Sequence, residues 1–154
     1  MLNLCYLSIS DTRGQPGDTS DIVMPIVQYA PDLRIDTDGS GPSYNDGDQR
    51  GTTSYEQVYG VSLNADTDLY TVAPDGAQSL GVRLGDPTFV FANGGVSGGF
   101  VGDYGQPKLG FGEVAISQAW NLGVPINYSP PGPKTYGTYP TTIVIIPSIP
   151  PRHR

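Results

Sequence analysis

Asp103 and Glu113 stand ten positions apart in GDYGQPKLGFGE, with Gly102, Gly105, Pro107, Gly110 and Gly112 bending the chain around and between them. Glycine and proline at that density favour turns over regular structure, so the two carboxylates can be brought to face one cleft. Two carboxyl groups suffice for glycoside hydrolysis. One, protonated, gives its proton to the leaving oxygen, and the other, ionised, activates water or attacks directly. Glu113 has the setting of the acid, because Phe111, Val114 and Ile116 would partly desolvate it and raise its pKa. Asp103, beside Gly102, Tyr104 and Gly105 in a more open turn, suits the base. A plainer reading has Asp103 capping a turn and Glu113 charging the start of the helical run that follows, and spacing alone favours that plainer reading.

Little other chemistry is on offer. Cys5 is the one cysteine and His153, in the terminal PPRHR, the one histidine, so an intrachain disulfide, a Ser-His-Asp triad and a His-rich zinc site are not expected. The glycines at 94, 95, 98 and 99 lie between strand-like runs with no GK[ST] after them, so they do not form a phosphate loop. An acidic loop over residues 37–51 follows Leu33-Arg34-Ile35 and, with Asp36 before it, brings together Asp36, Asp38, Asp46 and Asp48. Counted from Asp36, the twelfth residue is Gly47, where an EF-hand needs Glu, so that calcium motif is absent. A solvated loop and a glycan-contacting loop remain as readings, ahead of a calcium site of some other geometry. No cofactor and no metal are expected. Tyrosines at 44, 55, 104, 128, 136 and 139 fall in or beside loops, where they either stack on sugar rings or simply pack.

The elements that must position these residues are short. Among 154 residues there are 21 Gly and 15 Pro, which argues for many short strands rather than helices. One domain over residues 22–148 is expected, with an N-terminal extension over 1–21 and a disordered tail over 149–154. Leu33 and Ile35 face one way on a short strand, with Arg34, Asp36 and Asp38 around them. Residues 22–29 form a strand that Pro25 confines to an edge or splits. Two short strands about an Asn64-Ala65-Asp66 turn are expected within 58–73, and Pro74-Asp75-Gly76 is a turn. Residues 88–92 and the stretch from Phe100 form a hairpin around Asn93-Gly94. Residues 141–146, TTIVII, form a buried strand, expected to be central. Val114, Ile116, Ala119, Trp120 and Leu122 have helical spacing, closed by Gly123 and Pro125, so one short helix is predicted after Glu113. Seven or eight strands and one helix predict an all-β fold, a small closed barrel, because closure removes exposed sheet edges.

Four blocks in order then carry a resemblance. LRIDTDGSG (33–41), VSLNADTDLYTVAP (61–74), Gly85-Asp86 with FVGDYGQPKLGFGEVAISQAWNLG (100–123), and TTIVIIPS (141–148) are similar to the corresponding segments of the family 75 chitosanases. The third block is the most specific. The resemblance implies a secreted, endo-acting, inverting hydrolase of the β-1,4 glucosamine linkages of chitosan, on a double-psi β-barrel. It places the two essential acids on Asp103 and Glu113. Asp36, Asp38 and Asp46 would then pair with glucosamine ammonium groups, and Tyr44 and Tyr104 would line the substrate path. Thr37 stands where the family has a cysteine, Gln106 lengthens the turn after Asp103, and Asp86-Pro87 replaces a small or apolar pair.

A net charge of -7 suits a polycationic substrate and argues against nucleic acid as a partner. No stretch has the length of a membrane span and no signal peptide is recognised, so the expected partner is the polysaccharide alone, met by a monomer. Two alternatives stand beside the chitosanase reading: a non-catalytic glycan-binding or structural barrel module, and a hydrolase of another aminoglycan such as peptidoglycan.

Overall fold

The computed structural model describes residues 24–39, 51–105, 112–128 and 134–148. Asp46, Asp48, Tyr44, Cys5, His153, the extension and the tail lie outside them. Pro25 has no N–H to give to a ladder, and β1 (Ile26–Ala30) begins directly after it, on the edge of the sheet. β2 (Arg34–Asp36) follows after three residues, then α1 (Ser54–Tyr59), β3 (Tyr70–Pro74) and a 3₁₀ turn over Asp75–Leu80. β4 (Pro87–Ala92) and β5 (Gly95–Gly105) form the expected hairpin. Its two turn residues, Asn93 at φ 52° and Gly94 at φ 73°, take the left-handed conformations that match the twist of the flanking strands. β6 (Glu113–Ala115), α2 (Ile116–Asn121), the small pair β7 (Ile126–Asn127) and β8 (Lys134–Thr135), and β9 (Thr141–Ile145) complete the chain.

Seven strands form one mixed sheet in the order β1-β9-β4-β5-β3-β6-β2. β4 alternates, with Thr88, Val90 and Ala92 inside and Pro87, Phe89 and Phe91 outside. β9 places Thr141, Ile143 and Ile145 inside, and it lies second from one edge rather than at the centre. These strands bury Val90, Val101, Ile143 and Ile145 against Leu33, Val114, Ala119 and Leu122. Each fully buried aliphatic side chain of this kind contributes about 1.5–3 kcal/mol. A second cluster, Leu63, Ala65, Tyr70, Val72, Ala115 and Ile116, lies under the β3-β6-β2 end.

Three expectations are corrected. The sheet turns through 201° and stays open, a half-barrel and not a closed barrel. Its two edge strands, β1 and β2, are consecutive in the chain, and residues 31–33 carry the backbone across the gap without a ladder. Leu33 goes into the core there, while the Asp32 carboxylate accepts from the Tyr139 N–H at 2.8 Å and the Arg34 N–H bonds the Gly112 carbonyl at 2.8 Å. Second, the first of the strands expected within 58–73 does not form: residues 58 and 59 close α1, and 60–63 have no regular structure. Thr53 accepts from the Glu56 N–H (3.4 Å) and Gly60, at φ 69°, ends the helix. Third, the helix after Glu113 starts later than its spacing predicts. Val114 pairs with both Ile35 and Thr71, so the chain remains a strand through Ala115.

Candidate functional site

The end of the sheet that holds β5, β3, β6 and β2 gathers the carboxylates. Its geometry starts at a bulge. Tyr70 pairs with Phe100 and Thr71 with Val101, but Val72 pairs with Asp103, leaving Gly102 as the extra residue. A Cβ on Gly102 would lie 2.7 Å from Tyr70 Cβ and 2.8 Å from Leu63 Cδ1. Only a glycine allows β5 this close to β3. Val101 and Tyr104 both pack on the larger core, three residues apart, which strict alternation does not permit. The bulge supplies the missing step and leaves Asp103 on the other face, with Tyr70 and Val72.

Register then places Glu113. Thr71 lies opposite Val114 in an antiparallel pair, so Val72 lies opposite Glu113, and Asp103, Val72 and Glu113 form one row across β5, β3 and β6. Residues in such a row share a face, and two strand spacings separate the outer backbones by about 10 Å. The glutamate side chain spans part of that distance. Its Oε2 lies 3.4 Å from where a Cβ on Gly105 would be. Gly105 is two residues beyond Asp103 on β5, a step of about 6.6 Å. Both side chains therefore lie on one face of the sheet, with the Glu113 carboxyl reaching toward the strand that carries Asp103.

Asp103 is 6 % exposed and held by α1. Its Oδ1 accepts from the Ser54 N–H at 3.0 Å, from the Ser54 hydroxyl, and from the Tyr104 N–H at 2.7 Å. Among the described residues every hydrogen bond to this carboxylate goes to Oδ1, so the group is fixed in direction by the first turn of a helix that the sequence reading missed. A signal for that helix was present: Thr53-x-x-Glu56 is a capping box and Gly60 a C-terminal stop.

Asp36 is also 6 % exposed. The alternation of Arg34, Ile35 and Asp36 points to a solvated carboxylate that could meet an ammonium group; the structure buries it instead. Register puts it on the face of Glu113, because Arg34 pairs with Glu113 and Asp36 lies two residues on. Its Oδ1 accepts from the Asp38 N–H at 3.1 Å, while Oδ2 is buried with no partner among the described residues. Burial first, then the charges of Glu113, Asp38 and Asp103, push the Asp36 carboxyl up to about 8, against the weaker pull of the Asp38 N–H. Tyr70, fully buried beneath it, donates its hydroxyl to the Asp38 carbonyl at 2.8 Å. Burial and the neighbouring Asp36 carboxyl keep that phenol protonated far above its ordinary range.

The structure thus brings together Asp103, Glu113, Asp36 and Asp38, and adds Tyr70 and Ser54, which no sequence motif marks. Asp38 is half-buried at the mouth of this group. Tyr104 is not part of it: its ring packs on the larger core and its hydroxyl donates to the Val82 carbonyl at 3.3 Å. Tyr55 packs in tilted contacts against Tyr59 and Phe100, with centroids 4.7 and 5.5 Å apart. Among the described residues no group of three or more His, Cys, Asp or Glu side chains is arranged to hold a metal ion. Chemically, the arrangement offers an oriented carboxylate, a second carboxyl on the same face of the sheet, and a third whose pKa burial pushes up to about 8. No protein-family model matches the chain, and no curated protein matches it.

Proposed function

We propose that the protein is an endo-acting, inverting glycoside hydrolase that cleaves the β-1,4 glucosamine linkages of chitosan and acts outside the cell. The observation that carries this reading is the placement of Glu113 Oε2 over Gly105, two residues along β5 from Asp103. Glu113 gives its proton to the glycosidic oxygen as the bond from C1 to that oxygen breaks, and the bonding electron pair stays with the leaving oxygen. Asp103 takes a proton from the water whose oxygen bonds C1 from the opposite face, and the new hemiacetal has inverted configuration. The half-buried Asp38 and the net charge of -7 suit a polymer of ammonium groups. The parallel pairings of β2 with β6 and β3 with β5 support kinship with the psi-loop folds of the family 75 chitosanases, here with an open sheet.

One observation favours a second reading, a non-catalytic glycan-binding module. The Asp103 carboxylate accepts from the first N–H of α1, a capping role complete in itself. Reducing-end release from chitosan separates the two. The hydrolase reading expects release by the wild type and its loss, by at least about a hundredfold, in Glu113→Gln and in Asp103→Asn. A folded wild type that is retained on a chitosan column and releases nothing would establish the module.

A further inference from the structure

The hairpin tip between β4 and β5 carries chemistry that the carboxylate site does not use. Six asparagines are spread along the chain, and only Asn93 is followed by a glycine. Attack of a backbone nitrogen on the preceding asparagine side chain needs an unhindered residue at the attacking position, and Gly94 has no side chain to block it. Both residues are exposed. Nothing would lie within 4 Å of a Cβ on Gly94, so the turn is open to water and to solvent base. Among the described residues the Gly94 N–H gives no hydrogen bond. Asn93 holds a left-handed φ of 52°, which asparagine tolerates better than most residues with a Cβ.

The same side chain has a structural task. Asn93 Nδ2 donates to the Leu122 carbonyl at 3.1 Å and to the Gly123 carbonyl at 3.1 Å. These carbonyls stand at the end of α2, where a helix has no acceptor partners of its own. The Leu122 side chain is buried in the larger core, so the contact fixes the end of the helix where it enters that core. One further tie, from Asn121 Nδ2 to Ser97 Oγ at 2.9 Å, joins this end of α2 to β5. The Asn93 amide thus latches α2 to the hairpin tip. Both of its hydrogen bonds are made by the nitrogen that the chemistry of an Asn-Gly pair expels.

We propose that Asn93 is a self-modification site, at which loss of the side-chain amide releases the end of α2 from the hairpin. The Gly94 N–H gives its proton to solvent base, and a bond forms from that nitrogen to Asn93 Cγ. The Cγ–Nδ2 bond breaks, and the nitrogen takes a proton from water and leaves as ammonia. Water then adds to either carbonyl of the five-membered ring. The ring C–N bond breaks, its electron pair and a proton go to the nitrogen, and aspartate or isoaspartate remains. The net change is one water consumed and one ammonia released. The new carboxylate, ionised at neutral pH, has no proton to donate and faces two carbonyl oxygens. The latch becomes a repulsion. Isoaspartate also adds a methylene to the backbone of a turn whose two residues match the strand twist.

The test has two arms, and neither depends on catalytic activity. Peptide mapping by mass spectrometry, after the full folded chain is incubated at mildly alkaline pH, is expected to show Asn93 converting ahead of Asn64, Asn121 and Asn127, which precede Ala65, Leu122 and Tyr128. An Asn93 still intact in the folded chain when the urea-unfolded chain has converted there fully would overturn the site. In the second arm Asn93→Asp fixes the product. Its Tm is expected to fall by about 3 °C or more. Amide exchange is expected to quicken at Gly123 and Val124, whose N–H groups bond the Trp120 and Ala119 carbonyls. Asn93→Gly keeps the left-handed backbone and removes the donor without adding a charge, so it should fall between wild type and Asn93→Asp. An Asn93→Asp protein with the Tm and the exchange of wild type would overturn the release.

Discussion

Glu113 ends over Gly105: a Cβ on that glycine would lie 3.4 Å from Glu113 Oε2 and 2.9 Å from Val72 Cγ1. A methyl at 105 would meet the acid at an ordinary contact distance but Val72 too closely. Gly105→Ala is therefore expected to crowd Val72, a β-branched residue with little rotamer freedom, and to disturb the Glu113 carboxyl through it. Overpacking of this kind costs about 1–3 kcal/mol, and a misplaced acid costs rate beyond that. Thermal unfolding should show the modest destabilisation, and reducing-end assays should show kcat falling about tenfold or more with KM little changed. A variant with full kcat would mean that Glu113 does not work from its position over β5.

Ser54 is the second support of the site. Its hydroxyl donates to Asp103 Oδ1 and accepts from the Tyr104 N–H at 3.3 Å, tying the start of α1 to the end of β5. Ser54→Ala keeps the backbone N–H to Asp103 but loses the hydroxyl. A hydrogen bond to a charged group is worth about 1.5–3 kcal/mol. The expected outcome is a loss of that order in urea unfolding, with kcat reduced and partly rescued in Ser54→Thr. A Ser54→Ala protein as stable and as active as wild type would show that the backbone alone orients Asp103.

Much of the framework was legible because its signals are local. Asn93-Gly94 requires two left-handed residues and so marks the hairpin; TTIVII marks β9; Pro25 marks where β1 begins. The errors have a shared cause in contacts distant along the chain. Val114 has helical spacing with Leu122, but its pairing with Thr71 and Ile35 holds it in a strand. Closure was expected from the number of strands, whereas it depends on whether the edges meet, and the residue 31–33 link leaves β1 and β2 unladdered. In the site, Asp103 and Glu113 stand out by type and spacing. Asp36 does not reveal its burial, because its alternation with Ile35 predicts a solvated side chain; only the register of β2 against β6 turns it inward. The capping box at Thr53 marks the start of α1, but Val58 and Tyr59, residue types common in strands, mask it.

Asp86 is a buried carboxylate outside the candidate site. Only 2 % exposed, it accepts from the Ser148 N–H (2.9 Å) and hydroxyl on Oδ1 and from the Arg83 N–H (2.7 Å) on Oδ2. It clamps the segment after β9 to the turn before β4. Asp86→Ala removes these hydrogen bonds to a charged acceptor, although water can reach donors on the exposed Arg83 and Ser148, at a cost of about 2 kcal/mol, or about 6 °C in Tm for a chain of this size. Asp86→Asn keeps one acceptor oxygen and turns an NH₂ toward the Arg83 N–H, so it should fall between the two. Equal Tm values for Asp86→Ala and wild type would refute the clamp.

The buried Asp36 also makes stability depend on pH in a direction opposite to that of an ordinary paired carboxylate. Its folded-state pKa is raised to about 8 from an ordinary 3.8, by burial first and by the Glu113 charge next. Between those values the folded protein holds a proton that the unfolded chain releases, so the group's contribution falls as pH rises from about 4 to about 8 and is level above that. Asp36→Asn has no such proton. The stability difference, variant minus wild type, should therefore be smallest near pH 4 and grow steadily toward pH 8, with an upper bound on the order of 5 kcal/mol. Other titrating groups act on both proteins and cancel in the difference, apart from Glu113, whose charge is coupled to Asp36. Urea unfolding at pH 4, 6 and 8 checks this. Parallel curves for the two proteins would mean that Asp36 is ionised in the folded state; a difference that shrinks with pH would mean that its carboxylate is stabilised there.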